Sequence, residues 1–299
     1  MPNPHTPVWA GLKAVDWPGS LLVVGGALMV LLGLDFGNVA YPWSSATVIC
    51  LLVFGGAVIG LFVVNEWKFA AKPIIPLRLF STPAKLAPYG VFASANYVYI
   101  GLAYYLPLYS QSVLEADALT SGIHLIPLIV ASCLTGAFTG IFIQRTGQYR
   151  PLLYVAQVML ILGTGLFINL DFEQNLTKLF AFEIVVGIGV GMNMQPPVLA
   201  AQAAGSVKDT AAVVATMGFV RSIAAVVAVV VGGVIFQNEM DAVNPGLLAE
   251  IGPLAGRFDG ENAAANIQLI SALDESQRVP VRRAYFHALR TVWIMVCWF

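Results

Sequence analysis

Apolar runs of about 20 residues, parted by short polar stretches, dominate the chain. Each residue of an α-helix rises about 1.5 Å, so about 20 apolar residues match a hydrocarbon core about 30 Å thick. Eight such windows predict eight spanning helices. They run from Trp17 to about Asp35, Ala46 to Asn65, Ala87 to Ser110, Thr120 to Ile143, Pro151 to Leu170, Leu179 to Leu199 and Ala211 to Gln237, with an eighth from about Ala284. Asp16 is placed to cap the first. The eighth stops at Phe299 within "HALRTVWIMVCWF", where its apolar part is too short to span, so the last helix is read as truncated. The pattern is that of an all-α, polytopic membrane protein.

Composition agrees. Hydrophobic residues make up 58% of the 299 and charged residues 10%, against roughly 25% charged in ordinary soluble domains. Mean hydropathy is +0.80, and a soluble protein of this size has no interior large enough for so much apolar surface; the bilayer is its solvent. A net charge of −1 gives no electrostatic case for nucleic acid. Cys50, Cys133 and Cys297 each stand in an apolar run, which suggests neither a disulfide framework nor a metal site. The apolar part of the first span is long for a signal peptide, so it reads as an anchored helix rather than a cleaved leader.

Lysine and arginine in the short connections set the orientation. Lys68, Lys72, Arg78 and Lys85 follow the second span, Arg145 and Arg150 the fourth, and Lys208 the sixth. The alternate connections are poor in positive charge: "GNVAYPWSS" has none, "QSVLEADAL" holds Glu115 and Asp117, and "DFEQNLTK" has Lys178 alone. The first set is therefore expected in the cytosol, together with the N-terminus. Segment 238–283 becomes a long outer loop. Asn175 in "NLT" is formally a glycosylation sequon on the outer side, but its short loop holds it against the membrane and modification is not expected.

Candidate chemistry is sparse. There is no HExxH, P-loop or GxSxG pattern, and three scattered histidines form no metal cluster, so no catalytic residues are assigned and the chain is not read as an enzyme. "GIGVG", residues 187–191, lies within a span with no strand before it; Gly187 and Gly191, four apart, instead present a smooth stripe for close helix packing. "MNMQPP" then sets Asn193 and Gln195 before a proline pair that bends or breaks the helix. They either line a water-filled cavity or bond to a neighbouring helix. Asn96 and Tyr97, near the middle of the third span, fit an aromatic, hydrogen-bonding wall, whereas Tyr109 at its end suits the membrane interface. His124 and Glu183, ionisable groups about a turn inside their outer ends, are either functional intramembrane charges or, more simply, groups solvated at the interface. Arg221 lies roughly 15 Å along its helix from the cytosolic start. Snorkelling recovers part of that depth, but an intramembrane charge is a functional candidate.

The turn "GIFIQRTGQYRP", residues 140–151, resembles the loop signature of the major facilitator superfamily: Gly140, Arg145, Gly147 and Arg150 match, while Gln144 stands where that signature has an acid. In order along the chain, "DWPGSLLVVGGALMVLLGL", "NEWKFAAKPIIPLRLF", "YYLPLYSQSVL", "GIGVGMNMQPP" and "GFVRS…GGVIFQN" resemble its fungal fourteen-helix drug:proton antiporter branch over nearly the whole chain. On that family's plan, residues 1–16 are a cytosolic stub and 17–66 two extra central helices. Residues 67–86 are a cytosolic linker and 87–299 a C-terminal six-helix lobe. The resemblance implies alternating access about a midplane site, with proton entry expelling a small hydrophobic or amphipathic solute. It implies no cofactor beyond the coupling proton, and a plasma, vacuolar or vesicle membrane as location. It also implies a partner N-terminal lobe outside this sequence, so the chain is expected to insert but not to transport alone. By resemblance the third and sixth spans line the cavity, the seventh lies at the lobe boundary with Arg221's counterion on the other lobe, and Glu183 replaces a usually neutral residue. Two other readings stand: a truncated, non-transporting membrane protein, and a seven-helix receptor, against which the orientation and the lack of a lysine in the sixth and seventh spans both count.

Overall fold

A computed structural model describes residues 16–37, 41–69, 75, 77–173, 175–206 and 209–298. Most of the N-terminal stub, together with Lys72 and Lys208, lies outside these. The chain divides into two compact units, one of residues 1–86 with 204–218, the other of 87–203 with 219–299.

The first unit is built on a hairpin of α1 (Trp17–Phe36) and α2 (Ala46–Lys68). Asp16 caps α1, its Oδ1 accepting the Gly19 amide at 3.0 Å, and Pro18 suits the first turn, where amides lack helical partners. The other Asp16 oxygen accepts from Asn65 Nδ2 at 3.0 Å, tying the start of α1 to the end of α2. Ser45 caps α2 through the Val48 amide at 3.3 Å. A 3₁₀ turn, Leu77–Phe80, carries Arg78 to an ion pair with Asp209, whose second oxygen accepts from the Ser206 hydroxyl at 2.8 Å.

The larger unit holds most of α3 (Pro83–Ser112), α4 (Ala118–His124), α5 (Ile126–Thr146), α6 (Arg150–Phe167), α7 (Leu176–Met192), most of α8 (Pro196–Ala204), most of α9 (Thr210–Ile251) and α10 (Glu275–Trp298). Helix α7 packs between α5 and α6, and α10 against α6. The "GIGVG" stripe explains how. A Cβ at Gly187 would lie 2.7 Å from the Leu128 carbonyl oxygen and one at Gly191 2.4 Å from that of Ser132, both on α5; one at Gly189 would lie 2.8 Å from the Leu160 amide of α6. Alternate glycines thus admit backbones on opposite flanks, as small residues do where lipid offers no hydrophobic drive. Tyr105, Phe167, Phe236, Tyr285 and Trp293 are buried in the core cluster, and Tyr105 donates to the Val229 carbonyl of α9.

The helices depart from the sequence reading in three places. The fourth span is interrupted at Leu125 between α4 and α5, because Pro127 supplies no amide to the ladder there. Helix α9 runs on to Ile251 instead of ending near Gln237, since Phe236, Met240, Leu247 and Ile251 repeat at helical spacing and are buried. What was read as outer loop 238–283 therefore consists of that extension, the 3₁₀ turns Gly252–Arg257 and Ile267–Ala272, and the start of α10. Among the described residues six stretches are long and apolar enough to cross a membrane: Trp17–Leu34, Ala46–Lys68, Ala118–Thr146, Arg150–Phe167, Leu176–Ala204 and Thr210–Arg257. The expected third and eighth spans, α3 and α10, have the length, with 30 and 24 residues, but the tyrosines and amides of one and the arginines of the other lower their apolar content.

Candidate functional site

The sixth span breaks at the proline pair. Helix α7 ends at Met192 with Asn193 as its cap, and α8 starts at Pro196. Neither Pro196 nor Pro197 can donate to α7, so residues 193–195 leave the helical path. Asn193 is buried; its Nδ2 donates to the Gly189 carbonyl at 3.1 Å and its Oδ1 accepts from Gln157 Nε2 at 3.4 Å.

This break opens onto a cavity of about 240 Å³ within the larger unit. Asn96, Asn193, Gln195, Arg221 and the Tyr99 ring line it, with Phe92, Val190 and Met194 as apolar wall. Asn96 is positioned by its own helix, donating Nδ2 to the Phe92 carbonyl at 2.7 Å. Arg221 lies about 16 Å along α9 from Thr210, and among the described residues it has neither an ion-pair nor a hydrogen-bond partner. The cavity thus presents one guanidinium and three amides against hydrocarbon, an arrangement able to orient a polar head while its apolar body lies on the wall.

The structure does not bring the other candidates there. Tyr97, on α3 beside Asn96, is buried against Ala224 and Ala228 with its hydroxyl 2.8 Å from Met295 Sδ. Tyr109 is buried rather than interfacial and donates to the Asp171 carbonyl at 3.2 Å. His124 lies 3.3 Å through Nδ1 from the Ser110 hydroxyl and edge-on to Phe180. Glu183, one turn before Gly187, is 0% exposed, and neither carboxylate oxygen has a hydrogen-bond partner among the described residues.

At the loop signature Gly147 ends α5 in the left-handed region, φ 70°, its amide donating to the Ile143 carbonyl at 2.8 Å. That conformation strains any residue with a Cβ and explains the glycine. Arg145 and Arg150 flank it, exposed. One cluster went unread in the sequence: Glu115, at φ 57°, pairs with Arg278 at 3.3 Å and Arg282 at 2.7 Å, and Arg282 Nε also donates to the Val113 carbonyl at 2.8 Å. The i, i+4 arginines were visible; their carboxylate partner, about 165 residues away, was not. Outside the membrane Asp117 caps α4, and hydrogen bonds from the Thr120 hydroxyl and amide hold its carboxyl below the usual range.

Long apolar helices, a broken span and a polar cavity among them define a polytopic α-helical membrane protein. No family model matches the chain. It is 42% identical over 98% of its length to the efflux pump dotC of Dothistroma septosporum, covering 50% of that protein. It is 38% identical over 98% to the MFS-type transporter ppz2 of Metarhizium majus, covering 51%, and 36% identical over 98% to an MFS-type transporter of Aspergillus terreus, covering 54%. The chain thus spans about half the length of the curated relatives it matches. These relatives are named as transporters, not enzymes.

Proposed function

We propose that the chain forms the C-terminal lobe and the two extra central helices of a fungal fourteen-helix drug:proton antiporter of the major facilitator superfamily. In this reading it exports a small hydrophobic or amphipathic metabolite, toxin or drug by alternating access. The observation that carries it is the likeness to fungal efflux transporters over 98% of the chain. The broken helix beside a polar cavity supports it, because transporters place solute sites where discontinuous helices leave polar groups in the membrane. Residues 17–66 are the central pair, 67–86 the cytosolic linker and 87–299 the lobe. The N-terminus faces the cytosol, and the membrane is the plasma membrane. The positive charges of Arg145 and Arg150 in a turn between spans support that orientation.

Fusion behind the half of the Dothistroma pump that this chain does not match tests the reading. Yeast membrane vesicles carrying the fusion should show gradient-driven movement of Nile red that a protonophore abolishes, and vesicles with the chain alone should show none. Transport by the chain alone, or movement indifferent to the protonophore, refutes it. Arg221→Ala should impair the fusion at least tenfold yet leave the melting of the isolated chain in detergent nearly unchanged.

A further inference from the structure

Among the described residues Arg221 is the one ionic side chain on the cavity wall, and no carboxylate lines that wall to balance it. It lies deep along an apolar helix, where a guanidinium cannot shed its charge and an uncompensated cation is costly. Each neighbouring asparagine amide already commits a donor to its own helix. Asn96 Nδ2 reaches Phe92 O at 2.7 Å and Asn193 Nδ2 reaches Gly189 O at 3.1 Å. The guanidinium fork and the Gln195 amide make no such bond among the described residues, and the two are on the same cavity. Unengaged donors of Arg221 and Gln195 therefore border the same cavity as the apolar Phe92, Ala95, Val190 and Met194.

We propose that this cavity binds the anionic head of an amphipathic organic acid, a carboxylate or sulfonate on an apolar body, with Arg221 as its counterion. The proposal rests on the reading of the cavity as a solute wall and narrows the solute class. A planar guanidinium meets a carboxylate or sulfonate through paired, charge-assisted hydrogen bonds, which a neutral solute cannot form. At about 240 Å³ the cavity is just below the common range for small-molecule sites, roughly 300–1,000 Å³. It suits the head and first ring of a solute rather than the whole molecule.

The test uses the purified chain in phosphatidylcholine nanodiscs and two probes, 1-anilinonaphthalene-8-sulfonate and N-phenyl-1-naphthylamine, the same skeleton without the sulfonate. In Arg221→Gln the dissociation constant of the sulfonate should rise about ten- to a hundred-fold, the range of a charge-assisted hydrogen bond, while the neutral probe keeps its affinity within about twofold. Arg221→Lys, which keeps the charge without the fork, should fall between. On the wild type alone, naphthalene-1-sulfonate should displace the anionic probe at least tenfold better than naphthalene-1-sulfonamide. Equal effects on both probes, equal displacement by both competitors, or no saturable sulfonate binding overturns the proposal. Lipid headgroups present similar anions, so the titration is repeated with a third of the lipid as phosphatidylserine. The wild-type-to-variant ratio should persist, and its collapse to one would assign the guanidinium to headgroups and overturn the solute site. A chain that binds the sulfonate through Arg221 but yields no export in the fusion would keep this site and remove the transport reading.

Discussion

Replacing Gly191 by alanine perturbs a close approach between the backbones of α5 and α7. The new Cβ would lie 2.4 Å from the Ser132 carbonyl oxygen, 2.9 Å from the Gly136 amide nitrogen and 3.0 Å from Thr135 Cβ. A carbon meets a carbonyl oxygen comfortably at about 3.3–3.6 Å, so α5 and α7 would separate locally by about 1 Å. Two of the three obstacles are backbone and cannot rotate away. Overpacking of this kind costs about 1–3 kcal/mol, while alanine's better helix propensity returns up to about 1 kcal/mol. The net expectation is a loss of about 1–2 kcal/mol, read as a lowered midpoint when the chain in dodecylmaltoside is unfolded by SDS and followed by circular dichroism. Gly90→Ala is the matched control. Gly90 is also within a helix, but nothing lies within 4 Å of a Cβ there, so it should gain about 0.5–1 kcal/mol. If Gly191→Ala is as stable as Gly90→Ala, the close approach of α5 and α7 is not what the glycines serve.

Glu183→Leu should raise the same midpoint by about 1–3 kcal/mol, because it removes buried polar atoms that have no hydrogen-bond partner within bonding geometry among the described residues; a lowered midpoint would reveal a partner for the carboxylate. Glu115→Gln should cost about 1–2 kcal/mol, as one half-buried carboxylate serves two arginines, and a double-mutant cycle with Arg282→Gln that finds no coupling would count against that pairing. Gly147→Ala should lose about 1–2 kcal/mol from the left-handed cap of α5, whereas Gly147→Asn should lose less; equal losses would mean the φ angle is not the cause.

The helices were legible wherever one physical rule acted alone. Asp16 before "WPGS" marked the start of α1, and the proline pair after Gln195 marked the break of the sixth span, because capping and a missing amide are local effects. Gly187 and Gly191 were readable as a packing stripe, since small-residue spacing is written in the chain. Gly189 was not, because nothing local says that a second helix lies on the opposite flank. The end of α9 was misjudged for a related reason. Hydropathy falls at "QNEMDAVNPG", but tertiary burial of Met240 and Leu247 continues the helix past the apolar run. Among the polar cavity residues, Asn193 and Gln195 carried a local signal in the prolines, and Arg221 stood out by charge. Asn96 and Tyr97 looked alike in the sequence, adjacent polar groups of one span. Helical geometry turns neighbours about 100° apart, so Asn96 borders the cavity while Tyr97 is buried against Ala224 and Ala228.

The same short stretch, Gly187 to Pro197, holds the rigid and the irregular parts of the site together. Its first half is locked, with glycines pressed to backbone on both flanks; its second half is freed from helical geometry by two prolines. Asn193 belongs to both, because its backbone amide and its Nδ2 both donate to the Gly189 carbonyl while its side chain also borders the cavity. A displacement of about 1 Å at Gly191 is therefore carried two residues on to Asn193, where hydrogen-bond strength falls steeply over the same distance. Gly191→Ala should thus weaken binding of the anionic probe, though the substituted position does not line the cavity. Gly187→Ala, a full turn further from the break, should cost similar stability and disturb binding less. That ordering ties helix packing to the site: a cavity whose polar groups sit at a helix break depends on what holds the unbroken half in place.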